Sequence, residues 1–294
     1  MLGMDFSRLR ALVESTYGLG LGSGRVFFVG SSTDRWFVEE QVNNKVDGTV
    51  RTTVDSALNA CEAGRGDVVV VLPGSHTLTG SPSMPNSTRL LGVPGMRAAT
   101  TITSKSGSNG MSLSGNDCLV QGLTFKVNNG KHGITVTGLR NSVKDCSFLD
   151  VSGAPTSYLQ VDGQSGSKGV GTRVSDCYFG LDAVTAIQLS ADGNDQIEDV
   201  IIENCIINAA TQGLMFPAHN ATDIIVRGCL FNEAADPLNL TNGKTYNGSI
   251  IVDCSFAQAT ASKANITNNP GSFPASLLFV CNKTVAGIST AQPS

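Results

Sequence analysis

Carboxylates and cysteines are the residues of this 294-residue chain that could do chemistry. Hydrolysis of a glycosidic bond needs two carboxyls, about 5–5.5 Å apart for retention or about 6.5–9.5 Å for inversion. Asp162 lies within an apolar–polar alternation, while Asp182, Asp192, Glu233 and Asp236 lie in polar connections from which they could converge. The three histidines, His76, His132 and His219, fall in separate segments. No Asn-x-Asp on a strand, paired Asp-Asp, Gly-His-Gly or Arg-x-Lys accompanies them. The expectation is no catalytic residue, no cofactor and no metal, since calcium would need several oxygen ligands at one spot.

The eight cysteines could form disulfides, bind metal or pack. No CxxC or Cys/His metal spacing occurs. Five of them, Cys146, Cys177, Cys205, Cys229 and Cys254, occupy the fourth place of a recurring phrase. Its six copies run Val120–Phe125, Val143–Phe148, Val174–Phe179, Ile202–Ile207, Val226–Phe231 and Ile251–Phe256. The order is β-branched, variable, Gly/Asn/Asp, Cys or Leu, variable, Phe/Ile. Gly, Asn and Asp tolerate a left-handed bend, so each copy is predicted to be two short strands meeting at a corner. The copies start 23 to 31 residues apart, a spacing typical of repeat architectures.

A second phrase interleaves with the first: Met111–Leu113, Ile134–Val136, Leu159–Val161, Ile187–Leu189, Leu214–Phe216 and Leu238–Leu240. Two interleaved registers predict a solenoid of stacked coils, about 7–8 over residues 66–285, with the five thiols in one inward ladder. Neighbouring strands lie about 4.8 Å apart, but stacked side chains point in parallel. A disulfide needs Cβ atoms near 3.8 Å and a specific dihedral, so the ladder is predicted to be reduced core. Such thiols suit folding in a reducing cytoplasm.

The elements before the coils divide in two. Residues 1–50 hold a predicted helix over 5–16, a Gly-rich hinge over 17–24 and the strand Arg25–Val29. Phe6, Leu9, Leu12 and Val13 fall on one face of that helix, which serves either as a cap on its own body or as an arm reaching a partner. Residues 51–65 hold a capping helix over 52–64, with Thr52 and Asp55 as its N-terminal pair, Gly64 as its stop, and Val54, Ala57, Leu58 and Cys61 facing the first coil. Arg65-Gly66-Asp67 matches a cell-adhesion tripeptide by coincidence. Residues 286–294 form a tail.

Outward positions between the first inward residues of each coil are Leu119, Ser142, Arg173, Ile201, Ile225 and Ile250. Isoleucines stacked outside the core at Ile201, Ile225 and Ile250 suggest a contact surface. Either the chain's own segment 273–280 folds over them, or a second copy does.

Composition limits the partners. The charge is −4, with 15% charged and 6% aromatic residues. Mean hydropathy is +0.05 and the pI about 5.4. No nucleic-acid footprint, membrane span or secretory start is expected. Six Asn-x-Ser/Thr sequons follow from a chain rich in those residues.

The two interleaved phrases resemble the right-handed parallel β-helix of the pectate-lyase-like superfamily, across roughly residues 66–285. Thr53–Leu58 leading to Gly66-Asp-Val-Val-Val-Val-Leu-Pro-Gly74 is similar to the entry segment of many β-helix proteins. Together with the Val-Phe-Phe-Val-Gly strand and the Asp47-Gly-Thr linker, it looks like entry segments of bacteriophage virion proteins. That resemblance implies an all-β structural protein located in the virion and not an enzyme, foremost a capsid decoration or cement protein assembled in the host cytoplasm. It implies a homotrimer, with the major capsid protein or another virion component as partner. The alternative is a tailspike-type protein that binds or depolymerises surface carbohydrate.

Overall fold

The computed structural model describes residues 24–30, 49–163, 169–191, 197–208, 211–217, 219–232, 236–240, 244–257, 266–267, 276–280 and 283–284. The helix over 5–16, and with it Phe6, Leu9, Leu12 and Val13, lies outside the described residues, as do the hinge over 17–23 and the tail.

Among the described residues the chain winds through three long parallel sheets, in about eight turns with very little helix. Sheet A has eleven strands, from Val50–Arg51 at one edge to Leu277–Val280 at the other. Sheet B has nine, from Gly74–Thr77 to Lys283–Thr284, and sheet C seven, from Met111–Leu113 to Ile266–Thr267. A short fourth sheet joins Ile197–Glu198, Ala221–Thr222 and Tyr246–Asn247 in the later coils.

The registers are those of the two phrases. Val120, Val143, Val174, Ile202, Val226 and Ile251 pair in succession along sheet A, and Phe279 follows. Met111, Ile134, Leu159, Ile187, Leu214 and Leu238 do the same in sheet C. Almost all of these inward positions are fully buried. Sheet A turns into sheet B at a left-handed residue in every phrase: Gly122, Asp145, Asp176, Asn204, Gly228 and Asp253, with φ between 49° and 73°. A second left-handed column precedes sheet A at Ser87, Asp117, Arg140, Gly171, Asp199, Asp223 and Gly248. The sequence reading had not singled it out. Two such bends per coil bracket the six sheet A strands from Leu119–Gln121 to Ser249–Val252, so their length barely varies while connection length can.

The core is ordered by like side chains stacking on like. Phe125, Phe148 and Phe179 stack at centroid spacings of 5.4 and 4.9 Å, and Phe231, Phe256 and Phe279 at 4.9 and 5.8 Å. The five repeat cysteines are buried and form no disulfide with one another. Each thiol points at the carbonyl two residues back: Lys144 at 3.2 Å, Ser175 at 3.2 Å, Glu203 at 3.3 Å, Arg227 at 3.4 Å and Val252 at 3.4 Å. Burial pushes the Cys177 thiol well above its ordinary range. All five are at most 2% exposed, so they should resist alkylation when folded and react once denatured, and pairwise disulfides in native protein would contradict the ladder. Because a serine hydroxyl at Cys205 has the Glu203 carbonyl within reach, Cys205→Ser should cost about 1 kcal/mol, the low end for burying a hydroxyl, read from urea midpoints.

The capping helix differs in detail from its sequence reading. It spans Val54–Ala60, α1, and its N-cap is Thr53, whose Oγ1 accepts from Ser56 N at 3.1 Å. Thr52 is one residue too early. The Asp55 carboxylate instead accepts from Thr79 N at 3.1 Å and Gly80 N at 3.0 Å, which ties α1 to the first coil. Val54, Ala57 and Leu58 are buried against the core, and Cys61 is partly buried. No described helix is long and apolar enough to cross a membrane.

Val68–Val71 is buried on both faces, the pattern of a strand covered from two sides. Its outer face joins Phe28, Leu72, Leu91 and Val93 in a second apolar cluster. Val26–Val29 pairs with it inside sheet A, in register from Val26 opposite Val68.

Candidate interaction surface

Each described catalytic candidate sits in a contact of its own. Asp162 is only 9% exposed, and Ser190 Oγ stands 3.4 Å from it as a donor and 2.9 Å from Gln160 Nε2 as an acceptor. It is thus part of a hydrogen-bonded polar group on sheet C, where its outward position had suggested a free acid. His76 Nε2 bonds the Leu72 carbonyl at 2.8 Å. His132 Nδ1 lies 2.7 Å from Ser157 Oγ, the spacing of a nucleophile and base, but Ser157 is fully buried and closed to substrate. Asp192, Glu233 and the side chain of Asp236 lie outside the described residues. No described group of three or more His, Cys, Asp or Glu could hold a metal ion.

Asp182 does meet a second acid, Asp150 in the preceding coil, which the sequence reading missed. The hydrogen bond and the repulsion between the two carboxyls raise Asp182 above the ordinary carboxylate range. Variable connection lengths hid this pair, because only the strand phrases keep register in the sequence.

The outward face of sheet A is the most ordered surface. Ile201, Ile225 and Ile250 pair in succession at half-exposed positions, and Leu278 follows at 39% exposure. The segment proposed to cover them instead supplies the next rung: Leu277–Val280 pairs beside Ser249–Val252 and lengthens the aliphatic column to four. Val252 and Val280 stand beside it, both half-exposed. At its foot Glu203, 8% exposed, is clasped between Arg173 and Arg227, whose Nε atoms donate to Oε1 at 2.6 Å and Oε2 at 2.8 Å, with a second donor from each guanidinium. Burial would raise the Glu203 carboxyl, but the two arginines outweigh it and hold it below its ordinary range.

Around the left-handed corner, sheet B carries its own outward column on the same coils. Tyr178, Ile206 and Leu230 pair in succession, and Ile206 is 44% exposed. Sequence patterning had marked only the sheet A side.

Stacked parallel coils with three ladders define a right-handed parallel β-helix, a class that presents long lateral faces. No family model matches the chain, and no curated protein does. Among solved structures, it is similar to a tailspike protein mutant of E. coli bacteriophage HK620 in complex with a pentasaccharide. That match is 13% identical with a TM-score of 0.50 and covers 95% of this chain and 64% of the tailspike chain. A pectin methylesterase in complex with a hexasaccharide matches at 14% identity and TM-score 0.44, over 90% of each chain. A capsular polysaccharide depolymerase tailspike, gp49 of Acinetobacter baumannii bacteriophage Fri1, matches at 14% and 0.39, over 77% of this chain and 57% of its own.

Proposed function

We propose that this chain is a structural component of a bacteriophage particle, of the tailspike type rather than a capsid decoration protein. The observation that carries the reading is the overlap of 95% of the chain with the HK620 tailspike. The phage-like entry segment agrees with it. The partners are further copies of itself, another virion component and, at the distal surface, host carbohydrate. The self-association surface is the column Ile201, Ile225, Ile250 and Leu278. It is aliphatic, so it suits packing on protein better than stacking on sugar rings.

In this reading the chain acts by binding rather than by turnover, with Asp162 held in a polar group with Ser190 and Gln160. Mass spectrometry of purified particles is expected to find it at tail-scale stoichiometry. Absence from the particle overturns the reading, and capsid-scale stoichiometry restores the decoration protein. Incubation with host O-antigen or capsular polysaccharide should release no reducing ends. Release that Asp150→Asn or Asp182→Asn abolishes would make the chain a depolymerase.

A further inference from the structure

The corner where sheet B passes into sheet C gathers polar side chains from three successive coils. Phe148 pairs with Phe179 and Phe179 with Ile207, so Leu149, Gly180 and Asn208 take the next place on successive rungs. Gly180 N donates to the Phe148 carbonyl at 2.8 Å and holds the first two coils in step up to this point. Asp150 follows Leu149 directly, Asp182 lies two residues past Gly180, and their carboxyls hydrogen-bond each other.

Two buried side-chain oxygens here have no hydrogen-bond partner. One is the hydroxyl of Tyr158, a fully buried residue at the start of sheet C. It is aimed at the connection that carries Asp182: a Cβ added to Gly180 would stand 3.3 Å from it. Burial first, then the Asp150 carboxylate, pushes its ionisation above the ordinary phenol range, and the Asp182 carboxylate adds to this. The other is Oδ1 of Asn208, 6% exposed and one rung beyond Gly180. A polar atom sealed from water without a partner is costly, so both oxygens point to a group from outside the chain.

We propose that Asp150 and Asp182 hold a calcium ion at this corner, with the Tyr158 hydroxyl and Asn208 Oδ1 completing its oxygen set directly or through its waters. Carboxylate, amide and hydroxyl oxygens are the ligands of hard cations. Two carboxyls in contact need positive charge between them, and a divalent cation supplies it at neutral pH. Among the described residues no cluster of three or more acids, cysteines or histidines could hold a metal ion; here two neutral oxygens stand in for a third acid. Spacing selects calcium over magnesium. Rungs lie about 4.8 Å apart, twice a Ca–O distance of about 2.4 Å, so the ion fits between adjacent coils without drawing them together. Magnesium, at about 2.0–2.1 Å in a strict octahedron, matches this spacing poorly. The bound ion ties together the connections after Asp150 and Phe179, where the sheet B ladder has ended.

Calorimetry of the full-length, chelator-treated chain with CaCl2 tests the site. A single ion is expected at a Kd of about 0.1–1 mM, the range of weak calcium modules. Asp150→Asn and Asp182→Asn should each weaken it roughly tenfold or more, whereas Asp162→Asn should leave it unchanged. Asp182 is exposed, so its replacement should keep the fold, which far-UV circular dichroism checks. Terbium in place of calcium gives a second reading: it should luminesce when tyrosine is excited, lose that emission to added CaCl2, and dim in Tyr158→Phe. Absence of binding by both methods would overturn the site, as would full affinity in both Asp→Asn variants. MgCl2 binding as tightly as CaCl2 would overturn the assignment to calcium.

Discussion

Phe148→Ala is expected to lower stability by about 3–5 kcal/mol, the range for deleting a large buried aromatic. Phe148 is fully buried and holds the middle of a three-ring stack, parallel to Phe179 within 3° and to Phe125 within 17°, with Tyr158 tilted against it at 6.3 Å. Truncation removes its contacts with three other rings and leaves a cavity. Those rings come from different strands of rigidly hydrogen-bonded ladders, so they cannot close in. Because each coil of a solenoid is stabilised mainly by its neighbours, the loss should appear as an early transition of the central coils in urea. A cost under about 1.5 kcal/mol, below the usual range for an aromatic truncation, would mean that the ladder relaxes.

Asp67→Asn is expected to cost a similar amount, about 3–5 kcal/mol, the penalty for breaking a buried ion pair from one side. Asp67 is fully buried, and its carboxylate accepts from Arg65 Nε at 2.6 Å and Nη2 at 2.5 Å, from Glu62 N at 2.7 Å and from Arg25 N at 2.8 Å. It therefore joins the strand before the cap, the end of the capping segment and the first coil. The same geometry disposes of the adhesion tripeptide, since Arg65 and Asp67 are spent on each other. Burial alone would raise this carboxyl, but Arg65 and the two backbone donors outweigh it and hold it below the ordinary carboxylate range. A depressed folded pKa gives stability that is complete above the unfolded pKa of about 4 and lost as pH falls through the folded value. Denaturation at pH 7 and pH 3 should show wild type losing this part of its stability while Asp67→Asn, already without it, does not. Equal pH slopes in both proteins would contradict the account.

The repeat phrase was legible because every part of it acts locally. A β-branched residue at each inward place and a left-handed bend three residues before Phe or Ile determine where a strand starts and turns, whatever lies elsewhere. The last rung escaped because Phe279-Val280 is followed by Cys281 instead of Gly, Asn or Asp. Without that corner residue the segment looked like a flap, yet hydrogen bonding to the exposed edge at Ser249–Val252 makes it a strand. The column bracketing sheet A on its other side was hidden by Arg140 and Ser87, which adopt left-handed backbone without belonging to the residue types that advertise it.

By itself, then, the sequence determined the solenoid, its register, the inward cysteine ladder and the outward isoleucines, all consequences of spacing within one coil. Only the tertiary structure decided that Asp182 meets Asp150, that Asp67 is a buried tie, and that Ile206 and Leu230 stand around a corner from Ile201 and Ile225. Each of these joins residues through a bend or a connection of variable length. Strand periodicity gives the face a side chain points to, whereas the angle between faces and the path of a connection are set by how complete coils stack.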